Sequence, residues 1–123
     1  MEETETIRPA TILFIHEFQE FNVQTGDPIR TLGRVKELDA SNGDLVIDYN
    51  KSRLTVNTSL TPDFQCEIGS TYWFVGEADK RDNGAFILNA RIIVNADGLD
   101  TVLYERALAH RAPSLLRRHN EPR

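Results

Sequence analysis

Ile29-Arg30-Thr31-Leu32-Gly33-Arg34-Val35-Lys36-Glu37-Leu38 decides between two folds. Its apolar residues, Ile29, Leu32, Val35 and Leu38, recur every third position as on a helix. Gly33 stands in their midst, however, and a helix interior loses about 1 kcal/mol to glycine. A long strand bent at a glycine bulge satisfies both facts, because a bulge switches the face toward which the following side chains point. Such a strand can pair along both halves of its length and so close a barrel.

Outward from this stretch the chain is cut into short runs. The turn signals are Thr25-Gly26-Asp27-Pro28, Ser41-Asn42-Gly43-Asp44, Asn50-Lys51-Ser52 and Asp82-Asn83-Gly84. Between them Leu45, Ile47 and Tyr49 share one face, as do Leu54 and Val56, and then Phe86, Leu88, Ala90, Ile92 and Val94. Tyr72-Trp73-Phe74-Val75 is apolar on both faces, which predicts a strand covered on each side. Thr61-Pro62-Asp63-Phe64-Gln65 offers a threonine cap and a proline at the first helical position, room for about two turns before Gly69. From Asp97 or Asp100, either able to cap, to Ala112 before Pro113 the pattern is helical.

The expected architecture is all-β with a C-terminal helix from about 99 to 111. Five strands closing in this order describe the OB-fold barrel, whose ligand face is made by its middle strands and the loops between strands one and two and strands four and five. A five-stranded barrel of the SH3 type is the competing arrangement, and the connector after the third strand and the long final strand favour the OB fold. One domain is expected over 7–112, between an acidic tail over 1–6 and an Arg-rich tail over 113–123.

Bulk properties narrow the function. The 123 residues, 40% hydrophobic and 27% charged, suit a single globular core. With 14 Lys plus Arg against 19 Asp plus Glu, the net charge of -5 opposes tight free-standing binding to a polyphosphate. Local basic patches could still meet a strand that another protein delivers. Cys66 is the sole cysteine, so no disulfide can form within the chain and a reducing compartment fits best. The acidic start and the short apolar run Ala10 to Ile15 predict neither a signal peptide nor a membrane span. His16, His110 and His119 have no carboxylate or cysteine at ligand spacing, and no phosphate loop, nucleophile elbow or matched acid/base pair can be named. Metal, cofactor and catalysis are therefore not expected.

The C-terminal helix carries the clearest functional signal. At about 100° per residue, Leu99, Val102 and Leu103 form one apolar sector and Tyr104, Ala107 and Leu108 the adjoining one, roughly twice the width a one-sided surface helix needs. One side can cover the barrel, and the other lacks a partner within the chain. Leu99, Val102, Leu103, Ala107 and Leu108 are accordingly expected to anchor a partner protein, with Arg106 and Arg111 as the polar rim. The plain alternative is that all of them pack on their own barrel. For single strands, an OB face needs aromatic platforms and cations. Arg53, Trp73, Lys80, Arg81 and Arg91 are the candidates, with Tyr49 and Lys51 also near by position; Tyr49 reads equally as core, and Lys80-Arg81 as a solvated hairpin tip.

Three stretches carry a family likeness: Ile29-Arg30-Thr31-Leu32-Gly33-Arg34-Val35, then Ile68-Gly69-Ser70-Thr71-Tyr72-Trp73-Phe74-Val75-Gly76-Glu77, and Ala90-Arg91-Ile92-Ile93-Val94 followed by Gly98-Leu99. Together, from about Asp27 to Leu108, the chain resembles the smallest subunit of the CST telomere-capping complex. The resemblance implies an OB-fold protein that forms a heterodimer with the middle OB-fold subunit, within a trimer with the large subunit, in the nucleus at chromosome ends. It implies support of single-stranded telomeric DNA protection and telomere replication, with weak or indirect contact to the strand. Arg30, the first arginine of the R-T-x-G-R strand, would make a charge-assisted contact across that interface, against the alternative of a solvated arginine. Two rival readings are the small OB-fold subunit of a replication protein A-like complex and a free-standing barrel that binds a peptide or small ligand.

Overall fold

A computed structural model describes residues 9–39 and 42–110. Its strands are β1 (Thr11–Ile12), β2 (Pro28–Asp39), β3 (Asp44–Tyr49), β4 (Ser52–Asn57), β5 (Thr71–Lys80) and β6 (Phe86–Asn95), with helices α1 (Glu17–Glu20) and α2 (Thr101–Ala109). The sheet runs β1-β2-β3-β4-β6-β5 and closes through β2 and β5. Five strands, β2 to β6, thus form the closed barrel with a C-terminal helix, as in the OB fold. No helix among the described residues is long and apolar enough to cross a membrane.

β2 is the closing strand. Pro28 to Arg34 pair with β5, and Arg34 to Asp39 pair with β3. The bulge lies at Lys36, between Val35 and Glu37, and not at Gly33 as the sequence suggested. The third-residue spacing has another cause. Ile29 and Val35 point into the barrel, whereas Leu32 points outward and is buried beneath α2. Leu38, near the end of the strand, is exposed. Gly33 serves close packing, because a Cβ there would stand 2.7 Å from Cδ1 of the core residue Ile47.

β6 departs from simple alternation too. Val75 pairs with Ile92 while Gly76 pairs with Ala90, so Arg91 is an extra residue in β6. Before it, Leu88 and Ala90 face the core; after it Ile93 does, and Ile92 and Val94 turn out to 54% and 50% exposure. The expected single face from Phe86 to Val94 is therefore split. Gly76 makes room for the bulge, since a Cβ there would collide with the Asn89 carbonyl.

The N-terminal segment, in which the sequence reading placed no element, fills the barrel. Leu13, Ile15, Phe18 and Val23 are buried in the main core beside Phe74 and Leu88. β1 runs parallel to β2, pairing Thr11 with Ile29. Buried Thr31 donates its hydroxyl to the Leu13 carbonyl at 2.7 Å, which stitches the plug to the closing strand. Thr61 to Gln65, expected as a short helix, is instead turns: Phe64 N–H reaches the Thr61 carbonyl at 3.1 Å, and no helix follows. Nucleating a helix fixes several residues before it gains bonds, and this connector is too short to recover that.

Substituting either close-packed glycine tests this account. Gly76→Ala drives a methyl into backbone and should cost about 3 kcal/mol, whereas Gly33→Ala meets only the Ile47 side chain and should cost less, about 1 kcal/mol. Urea unfolding midpoints measure both. Equal, small effects would remove the bulge from the account.

Candidate partner-binding and strand-binding faces

α2 starts where Asp100 caps it, accepting from the N–H groups of Val102 at 3.0 Å and Leu103 at 3.1 Å. Asp97, the other candidate cap, has a different task. Its carboxylate accepts the Thr71 N–H at 2.7 Å and a 3.2 Å bond from Asn95, tying the link between β6 and α2 to the start of β5. The Thr71 bond, followed by that from Asn95, lowers the Asp97 pKa below its ordinary value.

The helix is seated by one aromatic side chain. The Tyr104 ring meets Phe14, Tyr49 and Trp73 edge-on at centroid separations of 5.2, 5.5 and 5.4 Å. With Leu108 it is buried over Leu32 in a second core outside the barrel. Tyr49 adds a polar clamp, donating its hydroxyl to Glu105 Oε2 at 2.6 Å. Burial and that carboxylate raise the Tyr49 pKa.

The remaining apolar residues of α2 stay uncovered. Leu99 is 38%, Val102 64% and Leu103 61% exposed, and Ala107 and Arg106 are exposed as well. Leu99, Leu103 and Ala107 line an apolar groove of about 250 Å³ whose other wall is Ile12 and Trp73. Leu108 is the correction: expected as a partner anchor, it packs on Leu32 and only borders the groove. Arg111 lies outside the described residues. Exposed Ile92 and Val94 join this surface, because the register sets Val94 opposite Trp73 and Ile92 opposite Val75 on the same outer face.

Arg30 belongs to the same face. Its guanidinium lies 4.3 Å from the centre of the Trp73 ring, and its Nε is buried with no hydrogen-bond partner among the described residues. Trp73 was expected as a base platform, but the outer face of β5 holds it between Arg30 and Tyr104, on the helix side.

The cations expected to meet a strand differ in their engagement. Arg81 Nη2 bonds Asp44 Oδ2 at 2.6 Å, and Arg91 Nε reaches both oxygens of Glu77 at 2.7 and 2.8 Å. Lys80 Nζ sits 5.0 Å from the Phe86 ring centre. Arg53 is exposed at an open cleft of about 570 Å³, which Thr55, Phe86, His16 and Gln19 also line. Lys51 occupies a two-residue hairpin with Asn50, both at positive φ.

His16 does have carboxylates at ligand spacing, contrary to the sequence reading. One ligand atom from each of His16, Glu17 and Glu20 lies within 4.8 Å of the others. Buried Glu17 already accepts the Phe14 N–H at 3.0 Å and so holds the entry to α1. Cys66 packs against the core, and burial pushes its thiol up to about 11, away from reactivity.

Comparison with known proteins decides the family. The family model described as "Telomere-capping, CST complex subunit" matches residues 6–117. The chain belongs to this family. CST complex subunit TEN1 of Mus musculus is 26% identical over 115 residues, covering 90% of this chain and 71% of the mouse protein. The Homo sapiens subunit is 24% identical over 105 residues, covering 82% and 85%. Among solved structures, the S. pombe Stn1-ten1 complex gives a TM-score of 0.71 at 25% identity, covering 85% of this chain and 92% of that one. The telomere capping protein Ten1 from Saccharomyces pombe gives 0.69 at 26%, covering 84% and 97%. The hypothetical protein ygiW from E. coli, at 0.57 and 13% identity over 71% of this chain and 91% of its own, shares the fold alone.

For this CST-family chain, Ile92, Val94 and the groove wall Ile12 are surface residues that sequence reasoning missed. The apolar strand ending was visible, but the bulge that turns it outward was not. Asp97 gives a test of how α2 is tied down. Its pKa is lower folded than unfolded, so its contribution is present above the unfolded value of 3.8 and disappears as pH falls through the folded value. Asp97→Asn should therefore melt earlier than the wild type at neutral pH and converge with it in acid. Parallel melting curves down to pH 2 would contradict the assignment.

Proposed function

We propose that the chain is a non-catalytic CST subunit that binds and stabilises the complex's middle subunit, Stn1, as a heterodimer within a trimer with the large subunit. The carrying observation is the division of α2. Tyr104 and Leu108 seat it on the barrel, while Leu99, Val102 and Leu103 stand exposed beside an apolar groove. Contiguous apolar surface of this kind marks a protein interface. The S. pombe structure it resembles is of a Stn1-ten1 complex, which supports the choice of partner. Leu99, Val102, Leu103 and Ala107 are the anchors, Arg106 and Arg111 the rim, and Leu108 supports the helix from beneath. Arg30, stacked on Trp73, offers the partner a charge-assisted bond through the terminal nitrogens of its guanidinium. Ile92 and Val94 extend the contact onto the sheet.

In this reading the chain acts in the nucleus at chromosome ends, through one OB-fold domain with its C-terminal helix over 7–112; the tails expected over 1–6 and 113–123 lie outside the described residues. Its contact with single-stranded telomeric DNA is weak and salt-dependent, because the net charge of -5 opposes it. Arg53, Lys80, Arg81 and Arg91 are the residues that would meet phosphates.

Two substitutions separate interface from fold. Leu103→Asp should abolish co-purification with the partner while the isolated chain keeps its melting temperature. Leu108→Ala should lower stability by about 3 kcal/mol through its buried packing. Undiminished co-purification of Leu103→Asp would overturn the interface.

A further inference from the structure

The Asp44–Arg81 pair differs from three other ion pairs among the described residues. Arg34 and Lys36 approach Asp48 from the paired strand at 3.9 and 3.8 Å, and Arg91 reaches Glu77 across the ladder between β5 and β6. These join neighbouring strands. Asp44 and Arg81 are 37 residues apart and join the first residue of β3, at the end of the turn from β2, to the hairpin between β5 and β6. In a barrel of this topology, those two loops border the face that takes a single strand.

The carboxylate is held more firmly than the guanidinium. Asp44 Oδ1 accepts a bond from Asn57 Nδ2 at 3.0 Å, and the Asp44 N–H donates to Asn42 Oδ1 at 3.0 Å. The Asp44 side chain is 14% exposed against 44% for Arg81. A fixed anion therefore already occupies the more exposed guanidinium of Arg81. An incoming phosphate must displace Asp44 from Arg81 and also meet its uncompensated charge.

We propose that Asp44 is an internal competitor for phosphate: its ion pair with Arg81 latches the two loops together and sets this chain's affinity for single strands low. The inference rests on the reading that this face contacts a strand. Arg53, exposed and without a carboxylate partner at ion-pair distance among the described residues, makes the first contact, and Arg81 adds one only when the latch opens.

Fluorescence anisotropy with a labelled single-stranded oligonucleotide of mixed sequence tests it, on the full chain alone and in complex with its partner. Asp44→Asn should bind several-fold more tightly than wild type at low salt. Its logarithmic salt dependence should steepen by about 0.7, the share of one phosphate contact on a single strand. The double variant Asp44→Asn, Arg81→Ala should lose the gain. Asp44→Ser gives a second neutral replacement, and melting curves with partner co-purification confirm that each variant is folded. Equal binding by wild type and both neutral variants overturns the latch alone. A gain that survives loss of Arg81 overturns it too, as a general charge effect. No binding by any variant, alone or in complex, overturns the latch and the strand-contact reading together.

Discussion

The structure depends on β2 being shared. One twelve-residue strand supplies its first half to β5 and its second half to β3, with the extra residue Lys36 taking up the bend. That sharing removes the open edges a five-stranded sheet would otherwise expose. It also fixes which side chains look outward from the half paired with β5. Leu32 and Arg30 are those residues, and the register places them beside Trp73 and Val75. The seat of α2 is thus a by-product of barrel closure: an apolar patch of Leu32 and Trp73 on the outside of the strands that close the ring. A helix laid over it buries Tyr104 and Leu108 and leaves its other apolar sector uncovered.

The two candidate faces follow from this arrangement. Aromatic and aliphatic groups gather on the helix side, where Arg30 stacks on Trp73. Arg81 lies in the hairpin between β5 and β6 and Arg91 in the bulge of β6, and carboxylates of the same barrel engage both. An acidic chain that neutralises its own cations is better suited to associating with a protein than to holding a polyphosphate by itself. The family to which it belongs, subunits of a telomere-capping complex, fits that balance.

Much of this was legible in the sequence. Alternation placed β3, β4 and the first half of β6, because half-buried strands must alternate. The wide apolar arc of α2 and its acidic cap were visible for the same local reason, as was an exposed sector on the helix. The angle at which the helix lands was not. That angle decides that Leu108 faces Leu32 and Leu103 does not. The plug of Leu13, Ile15, Phe18 and Val23 escaped notice since its residues follow no single period and are buried only by tertiary contact. Nor does Trp73 announce on which side of a doubly covered strand it lies. Pairings between distant ionic groups, such as Asp44 with Arg81, are set by loop convergence that no local pattern encodes.

The added residue in β6 has a consequence for anyone tracing this family through its sequences. Upstream of Arg91 the odd-numbered positions of the strand look outward, and downstream the even-numbered ones do. An alignment that puts a gap a few residues away from that point would interchange inside and outside along half the strand. Substitution patterns would then assign outward-facing Ile92 and Val94 to the interior and inward-facing Ile93 to the surface. Comparing distant members correctly requires anchoring the indel opposite Gly76, the residue whose missing side chain accommodates it.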